Sequence, residues 1–433
     1  MSCELIQANA ERDGVSITQS AANLGRTADE SRAKYGISAV FRFVISPVLV
    51  LLSSTFAICQ ATPRDFHFGS AGQTTVALSE ESVFEATING KGPFNLFFDT
   101  GANFNILNPE VIAQAGLAPG GDQTDIHGIN GGKLEVKPYR ANEFRIGDLT
   151  LTGQTFYNVP MPLPEIVGAV GYELMSRLII RADNEHHRLT FYDPARFVWN
   201  GGGEKLELLP NSLALIVHAR VGKAVGDFVL DTGATGNIGI MLNHWFAQRH
   251  QLPHHLFPLF HSSYHGVFSG GADGDSPPSI LERINTVCLG SVCVRRLVAE
   301  FSDGDDKSQY AGRISNEILR RFTFTIDWQH RAIYLEKTSH WNEPDVYNQT
   351  GLLLNATDNG TALVVVTVYP HSPASKAHIK VGDRIVFIDK HPPEPNWYRD
   401  DPAFLQPAGT VVTLTIQRDN SFQQINFNLK DIL

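Results

Sequence analysis

The stretch Phe94-Asn-Leu-Phe-Phe-Asp-Thr-Gly-Ala102 decides the reading of this chain, because Asp227-Phe-Val-Leu-Asp-Thr-Gly-Ala234 repeats it, with Asp99 and Asp231 132 residues apart. In each copy an apolar, β-prone run delivers a carboxylate to an Asp-Thr-Gly turn. Asn105-Ile106-Leu107 follows in one copy and Asn237-Ile238-Gly239 in the other. One Asp-Thr-Gly is expected by chance in roughly one protein in ten of this length, so a single copy would say little. Two copies in matched contexts imply a duplicated unit.

Two aspartates sharing one site cannot both ionise cheaply, so such a pair holds one proton between its members. The ionised member can take a proton from water while the protonated member polarises a carbonyl. Water then attacks with no covalent enzyme intermediate and no metal or organic cofactor.

The pattern resembles the pepsin and retropepsin superfamily, in which two lobes or two subunits each contribute one Asp-Thr-Gly. The resemblance implies a mainly β, bilobal fold with Asp99 and Asp231 as the catalytic dyad. Thr100 and Thr232 match the threonines that hydrogen-bond across the lobe interface, and Gly101 and Gly233 match the glycines of the close turn. Ala102 and Ala234 are the retropepsin-like choice where many pepsins have a hydroxyl, so a pepsin-like acidic optimum does not follow. The implied partners are protein or peptide substrates, and a monomer suffices because both half-sites lie on one chain.

The repeat continues. Thr124 to Glu135, with Gly128, Ile129, Gly131 and Gly132, reads as a glycine-tipped hairpin, the flap of the resemblance; Gly266, Val267 and Phe268 belong to its counterpart. Phe144 to Leu151 and Thr286 to Cys293 read as hairpins turning at Gly147 and Gly290. Ala169-Val170-Gly171 supplies the hydrophobic-hydrophobic-Gly segment that crosses behind the catalytic turn in the family. The second copy departs with Arg313-Ile314-Ser315, and a serine there requires a negative φ. Each copy then leads to an Asp-containing strand, read as Arg188 to Asp193 and Phe324 to Asp327. Gly201 to Gly203 reads as the hinge between lobes.

The chain has 433 residues, 42% hydrophobic and 18% charged, with a net charge of -10, enough for two to four domains. It has no basic stripe for nucleic acid, no phosphate-cradling loop and no nucleophile elbow. Its histidines lack metal-site spacing: His261 and His265 are four apart without the internal glutamate of a zinc protease.

Residues 1–61 read as a polar leader and secretory signal, with Lys34 and Arg42 ahead of the apolar run Phe43 to Ala57. Export, periplasmic in a Gram-negative bacterium, is the expectation; an uncleaved segment would instead anchor the chain in a membrane. Cleavage would leave Cys288 and Cys293, which flank a Leu-Gly-Ser-Val turn and would face each other within disulfide range.

Residues 62–200 and 201–338 are then the two protease lobes, 339–349 a polar linker and 350–433 a C-terminal module. The module's His371-Ser-Pro-Ala-Ser-Lys-Ala377 and Val381-Gly-Asp-Arg-Ile385 are similar to the bacterial type of PDZ domain. That resemblance implies a groove for a C-terminal peptide, with Gly351, Leu352, Leu353 and Leu354 as its carboxylate-binding loop. Two functions follow: an exported aspartic endopeptidase with a PDZ domain, or a protease fold without turnover that serves as a PDZ peptide-binding or adaptor module.

Overall fold

A computed structural model of the chain describes residues 65–127, 133–161, 165–210, 213–252, 279–302, 308–357, 362–393 and 401–433. The leader and signal, the flap residues Gly128, Ile129, Gly131 and Gly132, and Gly266, Val267 and Phe268 lie outside them. Among the described residues no helix is long and apolar enough to cross a membrane.

The architecture is mainly β with short helices. An apolar hairpin delivers each aspartate. Val83–Ile88 turns through Asn89 and Gly90, both at positive φ, into Lys91–Phe98. Positive φ at both central residues is the requirement of a two-residue hairpin turn whose twist matches its strands. The uninterrupted Leu96-Phe97-Phe98 is explained by burial on both faces: Leu96 and Phe98 enter the main core, Phe97 a second cluster with Ile106, Val136 and Ala169. Ile216–Val221 and Ala224–Asp231 repeat the arrangement, pairing Val221 with Ala224.

A later strand then threads between the two arms of each aspartate loop. Gly168–Val170 runs parallel to Lys91–Phe98 and antiparallel to Ile106–Leu107. Gly312–Ser315 runs parallel to Ala224–Asp231 and antiparallel to Ile240–Leu242. Space is the reason that each of these strands begins with glycine: a Cβ would sit 2.2 Å from the Ile106 carbonyl oxygen at Gly168 and 2.0 Å from that of Met241 at Gly312. The first lobe thereby closes around an eight-stranded sheet and the second around a six-stranded barrel.

A further six-stranded sheet joins the lobes, in the order Glu204–Glu207, Ala332–Lys337, Phe322–Asp327, Ile179–Asp183, Arg188–Tyr192, Gln73–Ala77. Its centre is the antiparallel pair Ile179 to Ala182 against Asp327 to Phe324. This corrects the strand matching of the repeat. The counterpart of Phe322–Asp327 is Ile179–Asp183, each reached through a short helix, Asn316–Leu319 or Tyr172–Met175. Both strands end in an aspartate paired with the histidine three residues on, Asp183 with His186 and Asp327 with His330. Arg188–Tyr192 is the next strand, equivalent to Ala332–Lys337; similar apolar content let the two be exchanged in the sequence.

The described residues of 350–433 form a separate five-stranded sheet, Leu352–Thr357, Ala362–Val368, Arg384–Ile388, Val411–Arg418 and Ser421–Asn428, over their own core of Val365, Ile385, Phe404, Leu414 and neighbours. Gly351 sits at φ +78°, and a Cβ on it would lie 2.1 Å from that of Ser372. The aspartate of the Gly-Asp-Arg-Ile motif is structural: Arg418 donates to Asp383 through Nε at 2.6 Å and Nη2 at 2.5 Å.

The expected linker is not a free tether. Asp345 is buried, accepts the Val298 N–H at 2.7 Å and pairs with Arg321 in the second lobe. Leu281 of that lobe and Tyr369 of the C-terminal module bury each other. Polar composition reads as linker because a buried carboxylate with buried partners is not visible in one dimension.

Candidate active site

Each aspartate sits at the exit of its strand, where the following turn supplies two backbone donors. Asp99 Oδ1 accepts from Gly101 N at 2.9 Å and Ala102 N at 3.1 Å. Asp231 Oδ1 accepts from Gly233 N and Ala234 N, both at 3.0 Å. The glycine and alanine of each Asp-Thr-Gly-Ala turn thus aim one oxygen and leave the other free.

The threonines lock the two turns to each other. Thr100 N donates to Thr232 Oγ1 and Thr232 N to Thr100 Oγ1, each at 3.0 Å. Each hydroxyl donates its own hydrogen bond to a carbonyl in the opposite aspartate strand: Thr100 to Leu230 at 2.7 Å, Thr232 to Phe98. Both threonines are buried, so the exchange is made without competition from water.

Glycine is required in both turns because the carboxylates cross. A Cβ on Gly101 would stand 2.5 Å from the Asp231 Cγ, and one on Gly233 2.4 Å from the Asp99 Cγ. Each carboxylate therefore rests on the opposite turn. Both aspartates are 4% exposed. Burial, then the charge of Asp231, pushes the Asp99 carboxyl up to about 8, against the opposing pull of the Gly101 and Ala102 N–H groups and of Arg313. A carboxyl held protonated beside a second carboxylate is the arrangement of a proton-sharing pair.

Residues 84–174 match the aspartyl protease family. The matched segment contains Asp99, Thr100, Gly101, Ala102 and the crossing strand Gly168–Val170, but not the second aspartate loop. No curated protein matches the chain. Among solved structures, the aspartic proteinase from Irpex lacteus is similar over 63% of this chain and 99% of that one, at 11% identity and a TM-score of 0.40.

Behind the Asp99 turn of the first lobe, Gly171 N donates to Asn105 Oδ1 at 3.0 Å, and a Cβ on Gly171 would lie 2.5 Å from the Ala102 carbonyl oxygen. The second lobe makes room for Ser315 at φ -81°, where its hydroxyl bonds the carbonyls of Ile238 and Gly239. The serine is unstrained, which meets the condition that the sequence set for it.

Thr124–His127 and Lys133–Val136 pair as a two-stranded ribbon, and the residues between them, expected from the sequence to form a flap tip, lie outside the described residues. Cys288 and Cys293 face each other beside the Leu289–Val292 pair and form a disulfide with a Cα separation of 4.0 Å. Of the C-terminal residues, Leu352 is core, while Leu353 and Leu354 are half-buried on the sheet's edge strand.

Sequence reasoning passed over one contact: Arg313 Nη1 lies 3.3 Å from Asp231 Oδ2. The available signal was a basic residue where the first copy has Ala169.

Proposed function

We propose that the chain is an exported aspartic endopeptidase with Asp99 and Asp231 as its dyad, residues 62–200 and 201–338 as its lobes, and 350–433 as a PDZ domain. The observation that carries the reading is the reciprocal threonine exchange between the two Asp-Thr-Gly turns, which brings two buried carboxylates onto each other's glycines.

A peptide lying extended across the paired turns would place its carbonyl carbon over a water held between the carboxylates. The ionised aspartate takes one proton from that water as its oxygen attacks, and the protonated aspartate gives its proton to the carbonyl oxygen. The diol collapses when its hydroxyl proton returns to the dyad and the amide nitrogen takes the dyad's other proton, breaking the C–N bond. The water ends as one hydrogen on the amine and the remainder on the acid.

In the C-terminal module, Leu352–Thr357 is the first strand of its sheet and pairs on one side with Ala362–Val368. Its other edge is where an extended C-terminal peptide of a substrate or partner would add, next to the Gly351 turn. Export to a periplasm fits the leader and the disulfide.

Digestion of a peptide library by wild type, Asp99→Asn and Asp231→Asn tests the reading. Cleavage by wild type alone is the expected result; equal cleavage by all three, or by none, would leave the chain a binding protein on a protease fold. Ser315, at φ -81°, sits in its place behind the second turn without backbone strain, which supports the enzyme reading.

A further inference from the structure

The two halves of the site differ at one position on the crossing strands. In the first lobe Ala169 pairs with Phe97, two residues before Asp99, and is fully buried. In the second, Arg313 pairs with Val229, two residues before Asp231. Its side chain is 23% exposed, and its guanidinium reaches the oxygen that the Gly233 and Ala234 N–H groups leave free. Asp99 has no cation in hydrogen-bond contact among the described residues. Ala102 and Ala234 offer no hydroxyl to either carboxylate.

We propose that Arg313 is a positioning residue that keeps the dyad's negative charge on Asp231 and leaves the shared proton on Asp99. Three charged groups meet here: Asp99 from the first turn, Asp231 from the second, and Arg313 from the strand Gly312–Ser315. A cation touching one carboxylate favours ionisation of that one first, and the mutual repulsion of the pair then opposes ionisation of the other. The asymmetry follows from contact: Arg313 hydrogen-bonds the Asp231 carboxylate at 3.3 Å, while on Asp99 it acts through space without a hydrogen bond.

The catalytic consequence rests on the protease reading. Asp231 becomes the base that takes the proton from water, and Asp99 the acid that protonates the substrate carbonyl. After attack Asp231 carries the water's proton and Asp99 is ionised; collapse delivers the Asp231 proton to the leaving nitrogen and returns the diol proton to Asp99. Atoms and charge balance, and Arg313 neither gains nor loses a proton.

Two readouts test the assignment. The first is the pH dependence of kcat/KM on a library-derived peptide for wild type, R313Q and R313K. The second is a carboxyl-carbon NMR titration of protein labelled with ¹³C at its aspartates, with the dyad signals identified by their loss in D99N and D231N. Removing a cation makes both ionised forms costlier, so R313Q should titrate, and carry both limbs of its pH-rate profile, about half a pH unit to one unit higher. R313K keeps the charge and should stay near wild type. A folded R313Q that titrates like wild type overturns the proposal. If R313Q does not fold, R313K decides: a wild-type titration supports the charge role, and one displaced by a full unit overturns it. A wild type that cleaves nothing removes the protease reading only, since the carboxyl titration still reports on Arg313.

Discussion

Thr100 and Thr232 hold each other at 3.0 Å through two reciprocal backbone-to-hydroxyl bonds, and this exchange joins the two Asp-Thr-Gly turns directly behind Asp99 and Asp231. Thr100→Val keeps the shape and β preference but deletes the hydroxyl. The Thr232 N–H and the Leu230 carbonyl would then be buried without their partners. Each such group costs about 1–3 kcal/mol, so a loss of about 2–6 kcal/mol is expected by denaturant unfolding, with a fall in kcat at unchanged substrate affinity. Thr232→Val should match it, and the double variant should lose less than the sum because one network is being removed twice.

Much of this arrangement was legible beforehand because it is local. An apolar run ending in Asp-Thr-Gly-Ala states its own strand, turn and aimed carboxylate, and Asn89-Gly90 states its hairpin. What was not legible depends on partners distant in the chain. The sheet joining the lobes needs Ile179–Asp183 beside Phe322–Asp327, and nothing in either run distinguishes it from Arg188–Tyr192. Asp345 reads as one more polar residue in a polar segment until Arg321 and Val298 N are seen around it. Arg313 was noticed for breaking the repeat, yet its contact with Asp231 needs the parallel register that puts Ser315 opposite Asp231.

The Cys288–Cys293 disulfide closes a loop spanning only five positions of sequence. The entropy removed from the open chain by so small a loop corresponds to about 2 kcal/mol. The double variant Cys288→Ala, Cys293→Ala should lose about that amount and keep the fold, because the hairpin Ser279–Leu289 and Val292–Ser302 is paired along its length. Thermal unfolding with and without reductant measures it: reductant should lower the wild-type midpoint to that of the variant and leave the variant unmoved.

Stability should fall as pH rises from about 4 toward 8, opposite to a protein held by ionised carboxylates. The Asp99 carboxyl, pushed up to about 8 by burial and Asp231, keeps its proton in the folded state where the open chain, at 3.8, has released it. Between those values the folded state binds more protons, so raising the pH drains stability. Asp183 works the other way: its carboxyl is lowered, against the pull of burial, by His186 and Thr323, and its contribution is lost only as pH falls below the ordinary carboxylate range. Melting temperatures across pH 5 to 8 should decline for wild type and decline less for Asp99→Asn, whose amide has no proton to release. An equal decline in both would place the pH sensitivity elsewhere.

Asp345, in the segment between the second lobe and the C-terminal module, packs against the loop behind Asp231. It accepts the Val298 N–H at 2.7 Å, Val298 in turn accepts the Gly239 N–H at 2.9 Å, and a Cβ on Gly239 would lie 2.6 Å from the Asp345 carboxylate. Ser315 bonds the same Gly239 through its carbonyl. Burial pushes the Asp345 carboxyl up to about 6 even with Arg321 beside it. Asp345→Ala would leave the Arg321 guanidinium buried and unpaired, which costs about 3–5 kcal/mol. Replacing both, Asp345→Ala with Arg321→Met, should recover most of that stability because no uncompensated charge remains. Activity should not recover with it, since the double variant still lacks the acceptor that holds Val298 against Gly239. Denaturant unfolding and peptide cleavage measured on the same three proteins separate the two effects, and a double variant restored in both would assign Asp345 to stability alone.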